Sequence, residues 1–288
     1  MTDLPLPSQP ALPLAPPEAP KPSPLARLRR ALRMDRPHVA VVRLQGAIGA
    51  RGPLSDQAVA PLLEAAFGRR PVAVALEVNS PGGSPVQSSL IAARIRRLSE
   101  DKKVPVTAFV EDVAASGGYW IAAAADDIVV DRASLVGSIG VIAAGFGFQG
   151  AIARWGIERR VHTAGRSKSL LDPFRPESPE DVARLDAWLN QLHDTFIDHV
   201  LARRGARLKS DPNLFSGDVW IGDKAVDRGL ADAVGHLVPT MKARHGAAIR
   251  FRRLGRRRPL LARLGLGAAA EEAVALAEER LLMARGGL

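Results

Sequence analysis

The chain has 288 residues, 47% of them apolar, no cysteine and a formal net charge of +10. That is enough chain for one large core or two modest ones, and it excludes disulfides, thiol catalysis and thiolate metal sites. The charge sits at the ends: residues 1–36 carry +3 and 241–288 carry +7, while 37–240 are neutral, with 23 basic and 23 acidic side chains. A nucleic-acid-binding body would carry its own basic surface, so nucleic acid is not an expected partner.

Residues 1–24 read as a disordered, proline-rich leader. Over 25–37, Leu25, Leu28 and Leu32 recur at helical spacing among Arg27, Arg29, Arg30 and Arg33. That pattern predicts a short basic amphipathic helix, suited to an anionic membrane surface or to packing on the body. No apolar run reaches the roughly 18 residues that a spanning helix needs, and the leader lacks the apolar centre of a signal peptide. The expected location is therefore cytoplasmic, or peripheral at the inner face of a bacterial plasma membrane.

The body is expected over 38–240. His38–Leu44 predicts a first strand, Asp56–Phe67 a helix, and Pro71–Val78 a second strand buried on both faces. Asn79-Ser80-Pro81-Gly82-Gly83-Ser84 follows as a turn, then a helix over Val86–Leu98 and a strand from Val104 to Val110. This alternation is βαβ grammar, which places functional loops at the carboxyl ends of the strands. After Ser116-Gly117-Gly118 an Ala-rich helix reaches about Ala125, with a strand at Ile128–Val130. Further on, a short strand is expected at Ile139–Ile142, a helix at Ile152–Arg159 and a strand at Arg160–Thr163. Pro179 opens a long helix to about Arg204, striped by Val182, Leu185, Leu189, Leu192, Phe196 and Val200. Residues 241–288 read as a basic tail, Arg250 to Arg258, followed by a helix over Ala268–Met283.

Ser116, at a sharp strand-to-helix turn flanked by two glycines, is the first candidate nucleophile. No histidine stands in an evident triad, and the six histidines form no metal-ligand pattern; no metal or cofactor is expected. A desolvated lysine can serve as base instead, and Lys168 lies in a Gly/Ser-bearing loop, although most loop lysines are merely solvated. The Ser80–Gly83 turn could aim backbone N–H groups at an oxyanion or be an ordinary turn. It lacks the lysine of a phosphate loop.

Four segments in this order, ALEVNSPGGS (75–84), AASGGYWIAAAAD (114–126), GSIGVI (137–142) and AGRSKSLLDPF (164–174), make residues 38–238 resemble the signal peptide peptidase A family of bacterial serine proteases. The resemblance implies an α/β fold of the Clp-protease/crotonase type, a repeated ββα superhelix forming a single catalytic domain with flexible or helical tails. It implies Ser116 as nucleophile, Lys168 as general base, Ser138 as the serine orienting the lysine amine, and the backbone of Gly83 and Gly117 as the oxyanion hole. Gly82, Ile139 and Gly140 would contact substrate, with the apolar stretch Ile139–Phe148 lining the groove. Tyr119 and Trp120 read as helix packing. The substrates implied are extended or unfolded peptides, such as signal-peptide remnants and misfolded proteins, and activity should be highest above neutral pH. A single motif set implies the short, single-copy form, assembled as a ring (an octamer by resemblance) with serine and lysine from one chain. Two competing readings are an inert scaffold of the same fold at a membrane surface, and a crotonase-like acyl-CoA enzyme.

Overall fold

The computed structural model describes residues 36–255, apart from Arg166, together with Ser23. The chain divides into two units, Met1–Arg36 and Pro37–Leu288, and the fold below is that of the second. The proline-rich leader, nearly all of the basic helix expected at 25–37, Arg256–Arg258 and the helix expected at Ala268–Met283 lie outside the described residues.

The first half alternates as its hydrophobic pattern predicts: β1 (His38–Gln45), α1 (Asp56–Gly68), β2 (Ala73–Ser80), α2 (Pro85–Lys102), β3 (Val106–Ala115), α3 (Gly117–Ala123) and β4 (Asp127–Val130). Local signals set the helix ends. Ser55 and Ser84 accept the N–H of Ala58 and Gln87 as N-caps, Pro85 occupies the first turn of α2, and left-handed Lys103 closes that helix. Then come β5 (Leu135–Gly137), α4 (Gln149–Arg154), α5 (Pro179–Arg204), a 3₁₀ turn (Gly205–Arg207), β6 (Val219–Ile221), α6 (Asp223–Asp227), β7 (Ala233–Val234), α7 (Leu237–His245) and β8 (Arg250–Leu254).

The result is a mixed α/β domain on one sheet, whose main path runs β6-β5-β3-β2-β1-β8. Among the described residues every strand pairing is parallel except β5 with β6. β3 forks: Thr107–Val110 pair with β4, which pairs with β7, whereas Val113–Ala115 pair with β5. Val74, Leu76 and Val78 of β2 enter the larger core with Leu63 and Phe67 of α1 and Ile91 and Ile95 of α2. Ala73 and Ala75 face the opposite side, in a smaller cluster with Leu237 and Met241 of α7. Each large side chain buried this way contributes about 1.5–3 kcal/mol, which is what holds helices on both faces of a parallel sheet.

Three local expectations change. The strand expected at Ile139–Ile142 lies instead at Leu135–Gly137, because Gly137 and Ser138 take positive φ (118° and 50°), which a strand cannot continue through. The helix expected at Ile152–Arg159 occupies Gln149–Arg154, and Arg160–Thr163 form no strand. That segment pairs with no sheet edge, and it leaves Ile142 (85%), Phe146 (82%) and Trp155 (78%) largely exposed. The sheet also runs on past residue 240. β8, read from sequence as part of a basic patch, pairs with β1 from His38↔Arg250 to Val42↔Leu254, and Arg253 binds both carboxylate oxygens of Glu77 at 2.6 and 2.7 Å.

Candidate active site

β2 and β3 are parallel neighbours, with Ser80 opposite Ala114, so the turns that leave their carboxyl ends must lie side by side. Glycine lets them touch. A Cβ on Gly82, whose φ is +103°, would stand 2.8 Å from both Ser116 Cβ and Gly117 N and 2.9 Å from the Ala115 carbonyl. A Cβ on Gly118 would collide with the carbonyl oxygen of Ser80. Backbone approach of this kind is available to glycine alone. Ser80 is fully buried; its hydroxyl donates to Gly46 O (2.7 Å) and accepts from Gly82 N (3.2 Å), binding the turn to the β1–α1 loop.

Ser116 is half-buried with φ 50° and ψ −123°, outside the regions open to most L-residues. Such a conformation costs about 1–3 kcal/mol and persists only where its surroundings hold it. Two backbone bonds do so: Ser116 N–H donates to Gly137 O (2.8 Å), and its carbonyl accepts from Trp120 N–H (3.0 Å). Every residue of α3 behind it is buried. Tyr119 is wholly enclosed and donates its hydroxyl to Leu230 O at 2.9 Å, and burial pushes its pKa far above the ordinary value. Trp120 stacks on Phe196 (4.7 Å between centroids) and His199 (5.2 Å). Tyr119 and Trp120 are thus packing residues.

Gly83 N and Gly117 N lie at this junction; a Cβ on Gly117 would be 3.4 Å from Gly83 N. Neither N–H donates to an acceptor among the described residues. Two adjacent unpartnered donors beside a strained serine are a pair of groups able to receive a developing negative charge.

The remaining sequence candidates are placed less closely. Ser138 is half-buried at the end of β5, its N–H donating to Asp218 O (2.7 Å) and its carbonyl accepting from Gly140 N–H (2.9 Å). Ile139 is fully buried, so any contact it makes with a peptide is through its backbone. Lys168 is exposed in a turn, its N–H donating to Gly165 O at 3.2 Å. The structure does not join it to Ser116: among the described residues, neither Ser116 Oγ nor Lys168 Nζ has a hydrogen-bond partner. The lysine segment is tied down instead by Arg159, which pairs with Asp172 (3.2 Å) and lies over the Phe174 ring, and by Arg184 of α5, which donates to Ser167 Oγ. The backbone N–H of Phe174, and then Arg159, hold the Asp172 carboxyl below its ordinary pKa.

Sequence reasoning did not find the polar contacts of α5. His193 Nε2 lies 3.1 Å from Ile139 O, and His199 Nε2 lies 3.0 Å from Trp120 O. Arg203 donates to Ala123 O and Ala125 O, both at 3.2 Å. A carbonyl partner makes each histidine nitrogen the donor. Burial lowers the pKa of His199, which favours the neutral ring. The available signal was spacing: His193 falls four residues after Leu189 and three before Phe196, on the face that the apolar stripe turns to the core.

Comparison with known proteins gives this geometry its context. Two relatives from Brucella melitensis and Brucella abortus, each named Na(+)/H(+) antiporter NhaA, are 43% identical over 280 residues, which is 90% of this chain and 38% of theirs. The chloroplastic serine protease SPPA of Arabidopsis thaliana is 32% identical over 212 residues, 70% of this chain and 31% of that one. Protease 4 of Haemophilus influenzae is 34% identical over 166 residues, 57% of this chain and 26% of that one. The chain thus spans about a third of the length of these relatives. Among the described residues no helix is long and apolar enough to cross a membrane. The model of peptidase family S49 matches residues 99–246, more than half of the chain, and the chain belongs to that family of serine proteases.

Proposed function

We propose that the chain is a serine endopeptidase that hydrolyses extended or unfolded peptides through an acyl-enzyme on Ser116, with Lys168 as general base. The observation that carries this reading is the glycine-lined junction, where the unpartnered N–H groups of Gly83 and Gly117 adjoin a serine held at φ 50°. In the first step Ser116 Oγ bonds to the scissile carbonyl carbon as its proton passes to the neutral Lys168 amine. The carbonyl oxygen becomes an oxyanion, and the N–H groups of Gly83 and Gly117 donate to it. Collapse breaks the C–N bond, and the lysine ammonium returns its proton to the leaving amine. Water then attacks the ester carbonyl as Lys168 takes its proton; the acyl C–Oγ bond breaks, the lysine ammonium returns the proton to Ser116 Oγ, and the carboxylic product leaves. Ser138 orients the lysine amine. A peptide in the groove would meet the backbone of Gly82, Ile139 and Gly140.

The wider arrangement proposed is the Clp-protease/crotonase type in single-copy form, a reading supported by the fork of β3 between β4 and β5. A ring of copies is proposed on the strength of the 141–175 segment, which leaves Ile142, Phe146 and Trp155 exposed in the isolated chain and carries Lys168. Packing that segment against a neighbour would bury it and bring the amine to a serine. The basic ends of the chain are proposed to contact anionic membrane from the inner face.

The test is cleavage of casein by the wild type, Ser116→Ala and Lys168→Ala. Loss of nearly all activity in both variants is expected; equal cleavage by all three would refute the assignment. Mixing the two inactive variants reports on pairing: recovered activity puts serine and lysine on different copies, and its absence pairs them within one.

A further inference from the structure

Three of the four segments carrying the proposed machinery are held by one helix, the Ser80–Gly83 turn being the exception. α5 has 26 residues and so runs about 39 Å. Near its start Arg184 donates to Ser167 Oγ, the residue before Lys168. Midway, His193 donates to Ile139 O (3.1 Å), the residue after Ser138. Near its end His199 donates to Trp120 O (3.0 Å), one helical turn beyond Ser116, and Arg203 donates to the carbonyls of Ala123 and Ala125. Phe196 and Val200, buried between these contacts, fix the helix against the core.

The middle contact has the most leverage. The 137–140 turn has positive φ at Gly137 and Ser138 and closes on itself through Gly140 N–H to Ser138 O. Its two ends are pinned separately: Gly137 O receives the Ser116 N–H (2.8 Å), and Ile139 O receives His193. Ser138 between them is held by its own N–H to Asp218 O (2.7 Å), so the Ile139–Gly140 peptide acts on Ser138 through the Gly140 N–H and on Ser116 through Gly137. With His199 holding α3 from the far side, the serine backbone is gripped at both ends of its turn. We propose that α5 is the frame that registers the Ser116, Ser138 and Lys168 segments, and that His193 is a positioning residue acting through the Ile139 carbonyl. The proposal rests on the peptidase reading above, but its structural half stands apart from it.

The experiment compares wild type, His193→Leu, His193→Gln and Asn190→Ala (an exposed control on the same helix), with Ser116→Ala alongside, each as full chain. Peptide hydrolysis is read as kcat and KM separately, and backbone hydrogen exchange is followed over 116–120 and 137–140. Misplacing a reacting group by about 1 Å costs about 100-fold, so His193→Leu should lower kcat about 10- to 100-fold, with KM changed less than about twofold. Exchange in both segments should rise by about 10-fold or more as the turn opens locally. His193→Gln keeps a donor and should recover most of both readouts, while Asn190→Ala should match wild type. Unchanged exchange in His193→Leu overturns the inference whether or not the chain hydrolyses peptide. So does a glutamine variant no better than leucine. Full hydrolysis by Ser116→Ala would instead sink the peptidase reading and leave the exchange result to decide the role of His193.

Discussion

Gly82→Ala tests whether backbone contact between the two turns makes the site. The new methyl would stand 2.8 Å from Ser116 Cβ and Gly117 N and 2.9 Å from Ala115 O, at φ +103°. Two of those atoms are backbone and cannot rotate away, so the Ser80–Gly83 turn must back off from Ser116. Holding alanine at that φ costs about 1–2 kcal/mol, and forcing a methyl into a filled space costs about 1–3 kcal/mol more. The expected loss of stability is therefore about 2–5 kcal/mol. At about 2–4 °C per kcal/mol for a domain of this size, the thermal midpoint should fall by about 4–20 °C. Separating Gly83 N from Gly117 N would remove at least one donor of the proposed oxyanion hole, at an expected cost of about 10²–10³ in kcat. Thermal unfolding by circular dichroism and hydrolysis of a casein-derived peptide give the two readouts. Gly68→Ala is the control, since a Cβ there meets nothing within 4 Å and no positive φ is required; its midpoint should stay level or rise. A Gly82→Ala chain that melts and turns over like wild type would refute the contact and the oxyanion role built on it.

Two further predictions concern the framework. Arg204, whose side chain is fully buried, bonds both oxygens of Asp232 (2.8 and 3.0 Å) and the Gly229 carbonyl; Arg204→Ala leaves that carboxylate with Arg207 (3.5 Å) and the Ile128 N–H (2.7 Å) and should cost about 2–4 kcal/mol by urea unfolding, whereas a loss below about 1 kcal/mol would mean that the pair is dispensable. The Arg94 guanidinium, bidentate on Asp56, holds that carboxyl below its ordinary 3.8, against the opposing effect of burial. A depressed folded pKa contributes stability above the unfolded value and loses it as pH falls through the folded one. Asp56→Asn should therefore be about 1–2 kcal/mol less stable than wild type at pH 7, with the gap closing below about pH 3.8; a gap that persists at pH 2 would contradict the linkage.

Much of the first half of the fold could be read directly, because its signals are local. The runs at His38–Leu44, Pro71–Val78 and Val104–Val110 read as strands, and Ser55 and Ser84 cap the helices after them through their own next turn. The second half was less legible. Gly137, Ser138 and the irregular 141–177 segment depend on a strained backbone and on exposed apolar residues, which carry no periodic pattern. The arginines of β8 read as a tail because edge strands need little apolar content, and only pairing with β1 identifies them.

The same division holds at the candidate site. By itself the sequence determined the α/β alternation, the peptidase resemblance, and which serine, lysine and glycines to examine, since each rests on neighbours a few residues away. Tertiary structure alone decided that Gly82 and Gly118 must be glycine, because the atoms a side chain would strike, Ser116 Cβ and Ser80 O, lie 34 and 38 residues distant in the chain. It also decided that His193 and His199, indistinguishable in the sequence from ordinary helical histidines, donate to the carbonyl next to Ser138 and to one a helical turn beyond Ser116. Contacts of that kind are set by where the sheet brings distant segments together, and no local pattern encodes them.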